Sequence, residues 1–276
     1  MAVTVADINK LRKQTGAGMM DCKKALTEAD GDFDAAIDIL RKKGQKVAAK
    51  RGDNEAHEGL IIAKANADGK SGVILKLNCE TDFVARNQDF YNFVDTIVNV
   101  ALTNMPADAD ALKALPYDDK LSVADKITEQ VGVIGEKLDL SGYATLNADL
   151  VAVYNHPGNQ LAAIVGLNKN NDSAKDAGHQ VAMQVAAMAP LAIDANGVEQ
   201  SVLDHELEIG KELAIQEGKP ADMAEKISQG RLHKFLKENT LLSQPFVKDS
   251  KVTVQDFLNS VDKDLTVSDF KRFSLK

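Results

Sequence analysis

Tryptophan is absent from this 276-residue sequence, aromatic residues make up only 5%, and there are two cysteines, Cys22 and Cys79. Neither cysteine forms a CxxC pair or has a histidine at ligand spacing, which argues against a disulfide framework and a zinc site and predicts two reduced thiols. No stretch approaches the roughly 20 consecutive apolar residues of a membrane-spanning helix, so no membrane partner is expected. Met1-Ala2-Val3-Thr4-Val5 leads straight into polar sequence rather than a signal peptide, which predicts a cytoplasmic location. Positive charge is also scarce. A net charge of −8 and a pI near 5.2 repel a phosphate backbone, so no direct nucleic-acid partner is expected without a strong local basic patch. The one modest run, Arg41-Lys42-Lys43 through Lys46, Lys50 and Arg51, falls at the end of a predicted helix, where cations complement the carboxyl terminus.

Catalytic constellations are missing as well. His57, His156, His179, His205 and His233 are scattered, and none lies beside a serine or cysteine nucleophile motif. Asp68-Gly69-Lys70-Ser71 contains the Gly-Lys-Ser of a phosphate loop, but Lys64 stands where the first glycine belongs. The tetrapeptide also falls between two predicted strands, which makes it a hairpin turn. The chain is therefore expected to be no enzyme, to hold no nucleotide or other cofactor, and to have no metal site.

What is present is ordinary globular composition, 44% hydrophobic and 27% charged, over a length that exceeds one core. Thr4 to Gly44 reads as three short helices. Ile8 and Leu11 are apolar in the first and Ala25 and Leu26 in the second. The third opens on Asp32 as N-cap, repeats Phe33, Ala36, Ile37 and Leu40, and takes Gly44 as its stop. Ala48 to Glu58 then reads as a linker. Two β-rich runs, Gly59 to Ala65 and Gly72 to Asn78, flank the Asp-Gly turn, and a helix is predicted from Phe90 to Ala101.

The same order recurs: Leu150 to Tyr154, a turn at Pro157-Gly158-Asn159, Leu161 to Asn168, and a helix from about Asp176 to Met188. Leu75-Lys-Leu-Asn78 even matches the end of Val165-Gly-Leu-Asn168, so a structural duplication of α+β subdomains is expected. Between the copies, Ser122-Val-Ala-Asp125 forms a capping box that opens a helix carrying Ile127, Val131 and Ile134. After the second copy, Ser201-Val-Leu-Asp204 opens a helix, Gly218-Lys-Pro220 breaks it, and Asp222 to Lys237 resumes. The narrow apolar stripe of this helical hairpin implies that it either projects into solvent or pairs with another chain. A helix over Val254 to Val261 and a closing strand at Phe270-Lys-Arg-Phe273 complete the pattern.

One connection stands out. Cys79-Glu80-Thr81-Asp82-Phe83-Val84-Ala85-Arg86-Asn87 is longer than its counterpart in the second copy and sets an acid beside a bulky aromatic. Composition alone favours Phe83 in the core and Asp82 as a helix cap, while the extra length leaves open a projecting pair.

Two segments, Leu11-Arg-Lys-Gln-Thr-Gly-Ala-Gly-Met-Met-Asp-Cys-Lys-Lys-Ala-Leu26 and Asn78 to Asn87, closely resemble the signature stretches of the elongation factor Ts family. Gln244-Pro-Phe246 and Arg272-Phe273 echo its C-terminal part, so the resemblance spans essentially the whole sequence. It implies a ubiquitin-associated-like helical domain over 1–52, core subdomains over 53–142 and over 143–196 with 239–276, and an inserted helical hairpin over 197–238. The partner it implies is the GTPase elongation factor Tu, on whose GDP complex the family acts as a nucleotide exchange factor in translation. Arg12, Met19 and Met20 match the motif that docks on the GTPase domain; the alternative is that one methionine closes the small helical core. Thr81, Asp82, Phe83 and Val84 match the stretch whose Asp-Phe pair enters near the partner's nucleotide pocket and helps to dislodge magnesium. His156 and, more weakly, Ile127 match further partner-facing positions, against plain readings as an exposed turn histidine and a packed helix residue. Longer relatives continue into an additional helical module beyond the Arg-Phe strand, and no contact is carried over for it. The hairpin dimerises some relatives, which raises a possible homodimer here.

Overall fold

The computed structural model describes residues 3–275. Helix α1 (Val5–Thr15) opens on a capping box in which the Thr4 hydroxyl accepts from the Asp7 N–H and the Asp7 carboxylate accepts from the Thr4 N–H. It stops at Gly16, whose φ of +72° favours a residue without a Cβ. Helix α2 (Met19–Glu28) and helix α3 (Phe33–Arg51) follow, and Leu11, Cys22, Ala25, Leu26 and Ala36 form the buried centre of this module.

Gly44 does not end α3. The helix runs seven residues further, so Ala48 to Arg51 is helical rather than linker, and only Lys50 and Arg51 remain as cations of the last turn. The cause is a close crossing with the later helix over Val123–Ile134: a Cβ on Gly132 would stand 2.5 Å from the Gly44 Cα. A glycine that costs a helix about 1 kcal/mol by propensity is retained here because it admits another backbone.

Strands β1 (Glu58–Ala65) and β2 (Ser71–Cys79) form the expected hairpin. After them come α4 (Asp82–Ala85), α5 (Gln88–Asn104), α6 (Ala109–Ala114) and α7 (Val123–Ile134), the last opened by the Ser122–Asp125 capping box. Strand β3 (Asp139–Asn147) then pairs antiparallel with β2. Its sequence, with a central Gly142 and a mixed pattern of exposed, part-buried and buried residues, carries no β-pattern, and the sequence reading leaves it out. A Cβ on Gly142 would meet the Phe273 ring at 3.1 Å, so the glycine marks a close approach of two elements.

The second half repeats the scheme. Strands β4 (Leu150–Asn155) and β5 (Leu161–Leu167) form a hairpin, followed by α8 (Asp172–Met188), which starts before Asp176 because Asn171 caps it. The helical hairpin is α9 (Gln200–Gln216) and α10 (Ala221–Asn239). Ser201 is no cap: α9 begins one residue earlier, and its N-cap Glu199 makes no side-chain capping bond. The short strands β6 (Pro245–Phe246) and β7 (Asp249–Thr253), helix α11 (Val254–Val261) and strand β8 (Val267–Ser274) complete the chain. Strand β8 closes the second sheet in the order β4-β5-β8.

The two sheets pack face to face. Leu60, Ile62, Leu75 and Leu77 point to the core under α5 and α7, whereas Ile61, Ala63 and Ile74 meet Ala162, Ile164 and Val151 of the other sheet. Ala163, Val165 and Leu167 in turn face α8 and α11. Both faces of β1, β2 and β5 are thus buried, which explains why their sequences are continuous apolar runs without polar alternation. The result is an α+β molecule, the class expected from the sequence, with helices outside the two three-stranded antiparallel sheets in four layers.

Candidate partner-binding site

The long connection after β2 folds into α4, a single turn capped by the Thr81 side chain, which accepts from the Val84 N–H at 3.4 Å. Its four residues divide by direction. Ala85 is buried and Val84 packs against the core, while Phe83 is 83% exposed. The core alternative for Phe83 is therefore not what the chain adopts, and the helix cap is Thr81 rather than Asp82. Asp82 instead pairs with Arg86 at 3.0 Å across the turn, on the surface.

An exposed phenylalanine on one helical turn is a liability in water unless something fixes it. Here the fixing is polar. The Glu136 Oε1 accepts from the Thr81 hydroxyl at 2.6 Å, and Oε2 accepts from the backbone N–H groups of Glu80 and Thr81, each at 3.1 Å. Glu80 answers in the opposite direction, its carboxylate accepting from the Lys137 N–H at 2.6 Å. Arg51 at the end of α3 donates to both Glu80 oxygens at 2.9 and 2.8 Å, and Asn54 adds a contact at 3.1 Å. The Lys137 ammonium reaches the carbonyls of Gly52 and Asn54 at 2.7 and 2.9 Å. The Lys137 N–H above all, then Arg51 and Asn54, hold the Glu80 carboxyl below the usual carboxylate range despite some burial. None of Arg51, Glu80, Glu136 or Lys137 was singled out from sequence as part of a site. They are up to 86 residues apart, and no local motif signals the pairing.

Met19 and Met20 are 50% and 63% exposed on the first turn of α2, so neither closes the helical core. Arg12 is exposed on the last turn of α1. Gly16, in the loop before Met19, and Val84 and Asn87, beside Phe83, line a single groove of about 650 Å³ with Phe90, Phe93 and Val133. The α1–α2 loop and the Phe83 turn thus open onto one concavity, although 67 residues separate Gly16 from Phe83 in sequence. Ile127 is buried in the core under the first sheet, as helix packing alone would have it. His156 is exposed in the β4–β5 turn of the other half, with Nδ1 2.9 Å from the Tyr154 hydroxyl. His179 lies against the same tyrosine at 5.9 Å between ring centroids, so these two histidines are neighbours in space.

Among the described residues, no group of three or more His, Cys, Asp or Glu side chains has the geometry to hold a metal ion, and no helix is long and apolar enough to cross a membrane. Asp68-Gly69-Lys70 lies in the β1–β2 turn, with Gly69 at φ +71°, and Ser71 opens β2.

A family model described as elongation factor TS matches residues 80–276, beginning within the Phe83 connection and covering more than half of the chain. The chain belongs to the elongation factor Ts family. Similar proteins include the elongation factor Ts of Christiangramia forsetii, 52% identical over 274 residues with 99% of this chain and 98% of the relative covered. That of Amoebophilus asiaticus is 52% identical over 273 residues, with the same coverage of both chains. That of Porphyromonas gingivalis is 48% identical over 277 residues, covering 100% of this chain and 99% of the relative. These alignments extend across the N-terminal helices as well as the two sheets, so family membership applies to the chain from Arg12 and Met19 to Phe273.

Proposed function

We propose that this chain binds the GDP complex of elongation factor Tu in the cytoplasm and speeds release of its nucleotide, so that GTP can enter and translation elongation can proceed. The observation that carries the reading is Phe83, largely exposed yet held on a turn whose entry, Glu80-Thr81, is hydrogen-bonded to Glu136 and Lys137. Leaving such a side chain in water forgoes about 1.5–3 kcal/mol of burial, which an apolar pocket on a partner recovers. Aromatic side chains of this kind are the usual anchors of protein interfaces.

In this reading Met19 and Met20 grip the GTPase domain with flexible, polarizable side chains, and Arg12 adds a charged contact from the last turn of α1. Asp82 and Phe83, with Thr81 and Val84 as the frame of their turn, enter next to the partner's nucleotide pocket. Magnesium there bridges phosphates and a phosphate-loop hydroxyl in a demanding octahedral shell. A wedge that displaces a flanking element by a fraction of an ångström therefore loosens metal and nucleotide together. Coupling is reciprocal, so a factor that weakens nucleotide binding is itself weakened by incoming GTP and leaves. No bond is made or broken by the chain, and it needs no cofactor of its own. His156 offers a second contact from the other half, and the exposed Leu213, Ile215 and Met223 of the α9–α10 hairpin offer a surface for a second copy.

The test is the release rate of a fluorescent GDP analogue from elongation factor Tu at fixed magnesium, with the wild-type chain and with Phe83→Ala. Acceleration by wild type and a clearly weaker variant support the reading. No acceleration by wild type refutes it, and equal acceleration by both removes Phe83 from the mechanism.

A further inference from the structure

We infer that Glu136 is a positioning residue for exchange, setting the pose of Phe83 through Thr81; this rests on the exchange reading above. A helix of one turn cannot hold itself, because nucleation in isolation is unfavourable. The apolar root of α4, Val84 and Ala85, fixes its depth against the core. The polar tether fixes its rotation. One carboxylate takes three hydrogen bonds from two consecutive residues that lead into the turn, two from backbone N–H groups and one from the Thr81 hydroxyl. Charge-assisted bonds of this kind are about twice as strong as neutral ones. By donating to Glu136, the Thr81 hydroxyl also turns a lone pair toward the Val84 N–H that it caps.

Glu136 is itself well placed to act as a fixed post. It follows Gly135, whose left-handed backbone at φ +81° ends α7, and it precedes Lys137, whose N–H is bound by Glu80. The two acids therefore form a reciprocal clasp. Glu136 holds the backbone before the wedge, and Glu80 of that backbone holds the residue after Glu136. Glutamine is nearly the same shape but replaces one oxygen by an NH2 donor. In one amide orientation the two backbone N–H groups lose their acceptor; in the other the Thr81 hydroxyl loses its own. Either orientation frees the turn without emptying the space that Glu136 fills.

The experiment measures release of the fluorescent GDP analogue against factor concentration, so that the limiting rate is separated from the half-saturating concentration. Wild type, Glu136→Gln, Phe83→Ala and the double variant are compared. The expected result is that Glu136→Gln lowers the limiting rate about tenfold, as loss of one charge-assisted bond would. Its half-saturating concentration stays within about twofold, because the Met19–Met20 anchors on α2 are untouched. In the Phe83→Ala background Glu136→Gln then has no further effect. A limiting rate equal to wild type, a change in half-saturation alone, or additional slowing on top of Phe83→Ala would overturn the inference while leaving the exchange reading intact. Failure of wild type itself to accelerate release would remove both. Should Glu136→Gln unfold at the assay temperature, Thr81→Val removes the other partner of the same bond and must lower the limiting rate, while Thr81→Ser must keep it; Thr81→Val at the wild-type rate would again refute the inference.

Discussion

Gly44 and Gly132 meet where α3 crosses α7, so closely that a Cβ on Gly132 would stand 2.5 Å from the Gly44 Cα and 3.1 Å from its nitrogen. Backbone atoms cannot step aside as a flexible side chain can. Gly132→Ala is therefore expected to push α3 from α7 and to destabilise the protein by about 1–3 kcal/mol, the usual range for overpacking. Alanine's better helix propensity offsets only part of this. Urea unfolding measures it, and a midpoint equal to or above wild type would mean that the helices separate at no cost. Because Arg51 lies in the last turn of the same α3, the variant is also expected to loosen the Arg51–Glu80 contact.

Phe83→Ala separates function from stability. The side chain is 83% exposed, and substitutions at such positions usually change stability by no more than about 0.5 kcal/mol. The expected outcome is an unchanged thermal unfolding midpoint together with a marked loss of nucleotide-release activity. A fall in the midpoint comparable to that of a core truncation, several kcal/mol, would indicate that the ring packs inside the protein in solution.

How far the sequence discloses this arrangement depends on the range of the interactions. Elements with local signals are readable: the Ser122–Asp125 capping box, the Asp-Gly hairpin turn and the helix over Val254–Val261 all form where the pattern puts them. Gly44 misleads because a glycine at helical spacing is usually a stop, and only the position of Gly132, 88 residues away, reveals its packing role. Strand β3 is hidden for a related reason, since its register comes from β2 and its central glycine from the approach of Phe273. At the candidate site, the long connection and the Asp82–Phe83 pair are visible as anomalies. The carboxylates that hold them are not, because Glu80 and Glu136 resemble any surface glutamates until folding brings Glu136 to the Glu80 N–H and Glu80 to the Lys137 N–H.

The two thiols are expected to be inert in the folded protein. Cys22 and Cys79 are fully buried, and burial, then the negative charge of Glu136, pushes the Cys79 thiol up to about 12. Burial raises Cys22 as well. The thiolate is the reactive species, so at pH 8 both cysteines should react with an aromatic disulfide reagent only after unfolding, and then both should. Rapid modification of one thiol in native protein would show that its region opens, and modification of Cys79 would locate that opening beside the Phe83 turn.

Acid should release the clasp that holds this turn. The Glu80 carboxyl is held below its usual range chiefly by the Lys137 N–H, then by Arg51 and Asn54, so it binds a proton less readily folded than unfolded. The sign follows from linkage: a depressed folded value contributes stability that is complete above the unfolded value, about 4.3, and is lost as pH falls through the folded one. Glu80→Gln removes the charge at every pH. The stability difference between wild type and Glu80→Gln, read from urea midpoints, is thus expected to be constant from pH 8 to about pH 5.5 and to shrink below about pH 4.3. Over the same acid interval, hydrogen exchange at Thr81, Val84 and Lys137 should rise in wild type relative to their values in the variant. A difference that stays constant or widens toward pH 3 would mean that Glu80 gains nothing from its charge, and that the turn owes its order to Glu136 and the apolar root alone.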